Sequence, residues 1–202
     1  MKKRLFIAIN LAPELEKQLG YLLDQLRDFP YLKTADKNQL HLTLAFFGDI
    51  DEDKIPIIAD ILNKLSQETT GIILEPLPPE LISPPHHSPS LHSQLNTHNS
   101  QLSPFRGIWL AIKPNPALEQ LANNLRAQLN SAEFAPDPKP FNGHITLARS
   151  KTDRLSPELQ QWLSDRANTN FPASPVSKVI LYSSQLTPTG PVHTIEFSVK
   201  VF

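Results

Sequence analysis

Apolar residues recur along the chain with two different periods, one typical of strands and one typical of helices. Short runs of mostly apolar residues predict strands at 5–9, 40–47, 72–74, 108–112, 144–149, 176–183 and 193–201. Between them, leucine and isoleucine side chains spaced three and four apart predict four amphipathic helices, which begin at Pro13, at Asp51 and Asp53, at Asn115-Pro116 and at Ser156-Pro157. The order strand, helix, strand, helix, strand therefore occurs twice. This repetition predicts an α+β fold built from a duplicated β-α-β-α-β unit.

A segment of different composition separates the two halves. Of the 23 residues at 83–105, 14 are Ser, Pro or His, and the segment has almost no apolar periodicity. Such a segment cannot bury enough apolar surface to offset the entropy that is lost on ordering. We therefore expect a mobile loop inserted into a single two-lobed domain that spans residues 1–202.

The composition excludes several classes of protein. The chain contains no cysteine, which removes disulfide frameworks, thiol nucleophiles and Cys-ligated metal centres. No apolar run approaches the ~18 residues of a membrane span, and the run after Arg4 is too short for a signal peptide, so we expect a cytoplasmic protein that does not enter membranes. The 19 basic and 20 acidic residues nearly cancel, which argues against binding along a long nucleic-acid backbone but leaves a short RNA end open as a substrate.

The second predicted strand of each half carries the same motif. The sequence His41-Leu-Thr-Leu-Ala45 in the first half corresponds to His144-Ile-Thr-Leu-Ala148 in the second. Composition alone predicts roughly 0.02 occurrences of a His, apolar, Thr, Leu sequence, so two copies in equivalent strands are not expected by chance. Residues two apart in a strand share a face, so each His projects beside its Thr while the intervening aliphatic side chains face the core. Two halves that face one another then place four polar side chains around one cleft: His41, Thr43, His144 and Thr146.

This set of side chains suits an in-line displacement at phosphorus. The attacking and leaving oxygens lie on opposite sides of the phosphorus, and two imidazoles supply a base and an acid near neutral pH. The hydroxyls of Thr43 and Thr146 can donate to the non-bridging oxygens and stabilise the charge that develops in the transition state. A strained cyclic phosphate suits such a site because ring strain lowers the barrier to displacement. These roles require no metal and no cofactor, and we expect neither.

Several neighbouring residues have more than one interpretation. Strict alternation places Arg149 with the core-facing residues, whereas a bend at the strand end would return it to the cleft as a phosphate ligand. Phe6, Phe46 and Phe47 are interpreted as core residues, although one of them could stack on a base. The histidines of the insertion have irregular spacing and no neighbouring carboxylate except that of Glu80, so we expect no metal site among them: His86, His87, His92 and His98.

Outside the insertion, the chain resembles a known protein family over almost its whole length. The similarity rests on the two His-x-Thr strands and on further sequences in the same order: Arg4-Leu-Phe-Ile-Ala-Ile9, His41–Gly48, Ile108–Ile112, His144–Arg149, Leu181–Leu186 and Gly190-Pro191. These sequences resemble the two-histidine (2H) phosphoesterase superfamily, and most of all its RNA 2′,3′-cyclic phosphodiesterases, which are also called 2′-5′ RNA ligases. Two positions depart from the family pattern. The insertion replaces an Arg-rich segment and leaves only Arg106, and His193 stands where members carry Tyr.

The resemblance implies both a fold and a reaction. The fold is LigT-like, with two lobes of antiparallel sheet around a central cleft and helices outside. The implied reaction is hydrolysis of an RNA-terminal 2′,3′-cyclic phosphate to a 2′-phosphate, with 2′-5′ RNA ligation as a second reaction. His144 is then the base that activates water, and His41 is the acid that protonates the leaving 3′-oxygen. The implied partners are RNA 3′ ends or nucleoside 2′,3′-cyclic phosphates, bound by a monomer.

Two other functions fit the same residues. A non-catalytic module could hold an RNA end or a nucleotide in this cleft, although Arg or Lys would serve for binding alone, so the paired histidines favour an enzyme. A related phosphodiesterase could act on a small cyclic nucleotide, an ADP-ribose cyclic phosphate or 2′-5′ oligonucleotides.

Overall fold

Two groups of antiparallel strands form the sheet on which both His-x-Thr motifs lie. The computed structural model describes residues 1–82, 105–152, 155–188 and 190–201. Except for Phe105, the predicted mobile loop at 83–105 lies outside the described residues, and so do its four histidines. The helices are α1 (Pro13–Leu26), α2 (Ile55–Glu68), α3 (Pro116–Ser131) and α4 (Pro157–Ser164). The strands are β1 (Lys2–Ile9), β2 (Leu32–Thr34), β3 (Leu42–Asp51), β4 (Ile73–Leu74), β5 (Pro76–Ile82), β6 (Gly107–Ile112), β7 (His144–Ser150), β8 (Ser174–Pro175), β9 (Lys178–Thr187) and β10 (Gly190–Lys200).

Each lobe of the fold contains four of these strands. The first lobe has the order β10-β9-β1-β3, and the second has the order β7-β6-β5 with β2 along the other edge of β7. The lobes meet where β3 joins β7 at a single register pair, Leu42 opposite Ile145. Further along the same edge, β2 pairs with residues 148–150. Because β3 leaves β7 after one pair, the lobes diverge and a cleft opens between them. The predicted α+β fold with two antiparallel lobes is confirmed.

The lobes take strands from both halves of the sequence. β9 and β10 come from the second half and complete the first lobe beside β1, whereas β2 and β5 come from the first half and flank the second lobe. The helices cross in the same way, since α1 contacts β7 and α3 contacts β3. Hydrophobic periodicity predicts most of these strands, but it predicts neither β2 nor β5. It also does not predict which strands are hydrogen-bonded neighbours, so the repeat alone does not reveal this exchange.

Some strand boundaries differ from the sequence-based expectation. β2 is only three residues long, and β5 contains Pro76 and two further prolines, which an edge strand tolerates because its outer N–H groups need no partner. The short β4 pairs with β8 in a separate two-stranded sheet. β3 does not end at Gly48 but continues to Asp51, because Gly48 adopts φ 75° at a β-bulge where Phe47 is the extra residue.

The aliphatic face of each motif strand is buried under the helices. Leu42, Ile145 and Leu147 are fully buried, and Leu44 is nearly so. They pack into one core with the predicted helix stripes, whose buried residues include Leu15, Leu19, Leu23 and Leu26 of α1, Ile58, Leu62 and Leu65 of α2, Leu118, Leu125 and Leu129 of α3, and Leu159 of α4. This burial fixes which face of β3 and β7 points away from the core, and it is the face that carries His and Thr.

A β-bulge follows the threonine in both motif strands. In β7, Thr146 and Ala148 pair with consecutive residues of β6, so Leu147 is the extra residue, and Leu44 occupies the equivalent place in β3. Two consecutive side chains are therefore buried in each strand, and the alternation of faces shifts by one residue. The next residues, Phe46 in β3 and Arg149 in β7, line the cleft instead of joining the core.

We predict that Gly107→Ala disrupts the bulge of β7. A Cβ at Gly107 would clash with the backbone oxygen of Ala148, the residue that follows Leu147 in the bulge. The substitution should lower the free energy of unfolding by about 1–3 kcal/mol, the usual cost of overpacking. Thermal denaturation measures this change. In the matched control Gly20→Ala the new Cβ in α1 meets no atom within 4 Å, so the higher helix propensity of alanine should keep or raise Tm. Equal melting of Gly107→Ala and the wild type would contradict the prediction.

Candidate active site

The five residues predicted for the site all line the cleft between the lobes. The cleft has a volume of about 920 Å³ and takes side chains from both lobes. Thr43 lies on β3, and His41 is the residue directly before that strand. His144, Thr146 and Arg149 lie on β7. The bulge in β7 accounts for Arg149, which strict alternation would have placed in the core.

The register between the lobes arranges the two motifs around a local twofold relation. Leu42 and Ile145 form the antiparallel pair that joins β3 to β7, and each directly follows the histidine of its motif. The strands run in opposite directions, so His41 lies on the side of Thr146 and His144 lies on the side of Thr43. A ligand between the strands therefore meets one histidine and one threonine from each lobe.

Both histidines are oriented by the same backbone contact. Nδ1 of His41 lies 2.7 Å from the carbonyl oxygen of Gln39, and Nδ1 of His144 lies 2.8 Å from that of Asn142. A carbonyl oxygen can only accept, so Nδ1–H donates in both rings. Each neutral imidazole then keeps its lone pair on Nε2, the nitrogen that can accept a proton or, once protonated, give one up. In both motifs the carbonyl belongs to the residue two positions before the histidine.

Burial favours the neutral form of both imidazoles in the free protein. Desolvation lowers the pKa of His41 to about 4, with an opposing effect of the Gln39 carbonyl and further lowering by His193 and His144. Desolvation also lowers the pKa of His144, where the Asn142 carbonyl opposes the shift and the charge of Arg149 adds to it. An anion in the cleft would reverse this effect, because a nearby negative charge favours the imidazolium.

Aromatic rings hold His41 on one side of the cleft. The ring of Phe6 in β1 packs against it with centroids 5.0 Å apart, and Phe6 in turn stacks on Tyr182 of β9 at 5.2 Å. The ring of His193 in β10 lies 5.6 Å from His41 at an angle of 81°. Phe6 is buried, as its interpretation as a core residue predicts, and it also lines the cleft. No pattern in the sequence placed His193 beside His41.

Trp109 holds His144 on the other side. Its ring centroid lies 4.4 Å from that of His144, and Trp109 is in register with Thr146 across β6 and β7. The indole N–H donates to a carboxylate oxygen of Glu80 at 2.9 Å, and Glu80 is the residue opposite Trp109 in β5. Glu80 therefore orients the Trp109 ring, and the Trp109 ring in turn holds the His144 ring in position. Sequence reasoning did not identify either residue as part of the site.

The cleft is positively charged although the whole chain carries a net charge of −1. Five cationic side chains line it, namely Arg4, Arg27, Lys33, Lys37 and Arg149. Among the described residues that line it, Asp36 is the one carboxylate, and it accepts a hydrogen bond from the backbone N–H of Asn38. Lys33 and Arg149 stand directly opposite each other in β2 and β7, a like-charge pair that destabilises a sheet unless an anion lies nearby. The arrangement fits an anionic ligand.

Two further properties concern the described part of the chain. Its histidines, aspartates and glutamates form no group of three that could hold a metal ion. None of its helices is both long and apolar enough to cross a membrane.

Comparison with known proteins assigns the family. The sequence model of the 2′-5′ RNA ligase superfamily matches residues 12–186, most of the chain. The chain belongs to this superfamily. A curated relative from Thermotoga maritima, an RNA 2′,3′-cyclic phosphodiesterase, is 31% identical over 196 residues, which are 95% of this chain and 92% of the relative. An Archaeoglobus fulgidus relative of the same name is 26% identical over 94% of this chain and 96% of its own length.

Two solved structures support the fold. A Thermus thermophilus protein, TT0787, aligns with a TM-score of 0.70 at 24% identity, covering 98% of this chain and 97% of its own. LigT of E. coli complexed with 3′-AMP aligns with a TM-score of 0.68 at 22% identity, covering 100% of this chain and 99% of its own. At these identities the likeness concerns the arrangement of strands and helices.

We predict that His41 titrates near pH 4 in the free protein and at a higher pH when an anion occupies the cleft. The first value follows from burial of the ring, and the second from the attraction between an anion and the imidazolium. The Cε1–H resonance of each histidine, followed by NMR between pH 3 and 8, measures both effects. Sulfate is a suitable anion because its charge is constant over this range. A midpoint near 6.5 for His41, unchanged by sulfate, would contradict the prediction.

Proposed function

We propose that this protein hydrolyses RNA-terminal 2′,3′-cyclic phosphates to 2′-phosphates through acid–base catalysis by His41 and His144. The observation that carries the proposal is the matched pair of imidazoles, each with Nδ1–H on a backbone carbonyl and Nε2 available, on opposite sides of a positively charged cleft. The names of its superfamily relatives support the choice of substrate. A module that only bound an anion would not need two neutral imidazoles of fixed orientation.

The proposed reaction moves two protons in opposite directions. Nε2 of His144 accepts a proton from water as the water oxygen attacks the phosphorus. The bond between phosphorus and the 3′-oxygen breaks, and Nε2–H of His41 protonates that leaving oxygen. The product is a 2′-phosphate with a free 3′-hydroxyl. In 2′-5′ ligation an RNA 5′-hydroxyl takes the place of water. Its oxygen attacks the phosphorus of the cyclic phosphate while His144 accepts its proton, the bond to the 3′-oxygen breaks, and His41 protonates that oxygen.

The substrate itself supplies the protonation state that the acid needs. In the free protein His41 is neutral at pH 7, because its pKa is about 4. The negative charge of a bound cyclic phosphate raises that pKa, so the imidazolium forms where the leaving oxygen requires a proton. A bound phosphate would equally raise the pKa of His144, so the same argument allows His144 as the acid and His41 as the base. The leaving-group experiment below distinguishes these two assignments.

Thr43, Thr146 and Arg149 are proposed to bind the non-bridging oxygens of the phosphate. The two hydroxyls lie on the cleft face beside the histidines, and Arg149 lies close enough to His144 to lower its pKa. Donors aimed at these oxygens stabilise the charge that builds up at the transition state. With base, acid and oxygen ligands all supplied by this chain, the mechanism requires no metal ion.

We predict that His41→Ala and His144→Ala each lower kcat/KM for cytidine 2′,3′-cyclic phosphate by roughly 10²–10⁴-fold. The two variants should respond differently to the leaving group. A nitrophenyl phosphodiester releases an oxygen that needs no proton, so it should restore much of the activity of His41→Ala and little of that of His144→Ala. Steady-state rates on both substrates, measured in EDTA with the wild type as reference, test the assignment.

The same assays contain the outcomes that would contradict the mechanism. Equal rescue of both variants would remove the assignment of acid and base. A mild effect of both alanines on the cyclic phosphate would favour a binding module. Wild-type turnover that disappears in EDTA and returns with added Mn²⁺ would overturn metal independence.

A further inference from the structure

A third imidazole lies in the cleft beside His41. His193 projects from β10, in register with Ser184 of β9, and both residues line the cleft. Its ring meets Phe6 edge-on with centroids 4.8 Å apart and lies nearly perpendicular to His41 at 5.6 Å. Rings so packed cannot turn freely, so each ring nitrogen has a defined environment.

The two nitrogens of His193 have opposite environments. Nδ1 is buried and has no hydrogen-bond partner among the residues that the structure describes. The ring lines the cleft, and because its buried nitrogen is Nδ1, Nε2 is the nitrogen on the cleft side. In folded proteins a buried N–H without an acceptor is rarer than a buried acceptor without a donor. The neutral ring therefore carries its proton on Nε2 and presents an N–H donor to the cleft.

The neutral tautomer of His193 is the opposite of the one found in the two motif histidines. His41 and His144 donate from Nδ1 to backbone carbonyls, so their neutral rings present an acceptor to the cleft. His193 lacks such a carbonyl and presents a donor beside the acceptor of His41. Adjacent donor and acceptor groups suit a ligand that carries both an anionic oxygen and an oxygen that exchanges a proton.

We propose that Nε2–H of His193 is a substrate-binding donor, which contacts an oxygen of the ribose 2′,3′-cyclic phosphate on the His41 side. The proposal takes its substrate from the function proposed above. The donor would hold the leaving side of the cyclic phosphate against His41, so that the proton is transferred over a short distance. The unpartnered Nδ1 is then a stability cost that the fold retains because Nε2–H serves the ligand.

The test replaces the ring in two ways. His193→Phe keeps the aromatic packing and removes both nitrogens, whereas His193→Tyr keeps the ring and returns a donor at its outer edge. Tyr182→Phe is the matched control, because it removes a polar atom from a ring that also packs on Phe6. Each variant is measured for Tm and for kcat/KM with cytidine 2′,3′-cyclic phosphate.

The proposal predicts effects of opposite sign on stability and activity. His193→Phe should keep or raise Tm, because an unpartnered buried nitrogen is removed, yet lower kcat/KM by about 10–100-fold, the usual effect of one donor to a charged ligand. His193→Tyr should also keep or raise Tm and should retain most of the activity. Tyr182→Phe should stay near the wild-type kcat/KM.

Other outcomes overturn the proposal. Full activity of His193→Phe, or a loss of activity and Tm together that Tyr does not restore, would mean that the ring only packs. If the wild type does not hydrolyse the cyclic phosphate, the function proposed above fails, and the affinity for cytidine 2′-monophosphate, measured by calorimetry, decides the role of His193. Weaker binding by the Phe variant than by the Tyr variant supports a donor, and equal or absent binding in all proteins refutes it.

Discussion

The site depends on one hydrogen bond that is made twice, from Nδ1 of a histidine to the carbonyl two residues before it. In His41 the acceptor is Gln39 and in His144 it is Asn142. This contact fixes the tautomer and the direction of Nε2 together, and it uses only backbone that the strand already positions. The buried aliphatic face of each strand and the bulge after each threonine then determine what stands beside the ring. The two strands differ at the residue after the bulge, where Phe46 contributes an aromatic face to the cleft and Arg149 a charge.

The cleft combines features that each lower the stability of the fold. These features are the buried imidazoles, the like-charge pair of Lys33 and Arg149, and the unpartnered Nδ1 of His193. Replacing these polar groups with apolar ones would remove their cost in stability. A bound phosphate compensates for the first two, since it attracts the cations and stabilises the imidazolium. This complementarity links stability to function, because the costs are concentrated where a dense negative charge is expected to bind.

The sequence predicted the fold class, the four helices and the face of each motif strand, because these follow from local periodicity. Side-chain caps mark the starts of α3 and α4, whereas α2 begins at Ile55, after the predicted Asp51 and Asp53, and has no side-chain cap. It did not predict that β9 and β10 complete the lobe of β3, since hydrogen-bonded neighbours across the sheet leave no periodic signal. His41, Thr43, His144 and Thr146 were found through an internal repeat. Arg149 stayed ambiguous because a one-residue bulge reverses the face of every later side chain. The sequence also does not distinguish Gly107, whose missing Cβ accommodates the bulge, from other glycines in strands. Trp109, Glu80 and His193 reach the site through contacts between strands far apart in sequence.

The central claim is that two buried, neutral imidazoles act as acid and base, and the pH dependence of kcat/KM tests it most directly. This ratio reports the ionisation of the free enzyme, in which the pKa of His41 is about 4 and that of His144 is lowered below its usual 6.5. With cytidine 2′,3′-cyclic phosphate the profile should be bell-shaped with both limbs below pH 6.5. The limbs of kcat should lie at higher pH, because the bound phosphate raises both pKa values. A kcat/KM that is flat between pH 4 and 7, or that falls only above pH 6.5, would contradict the account.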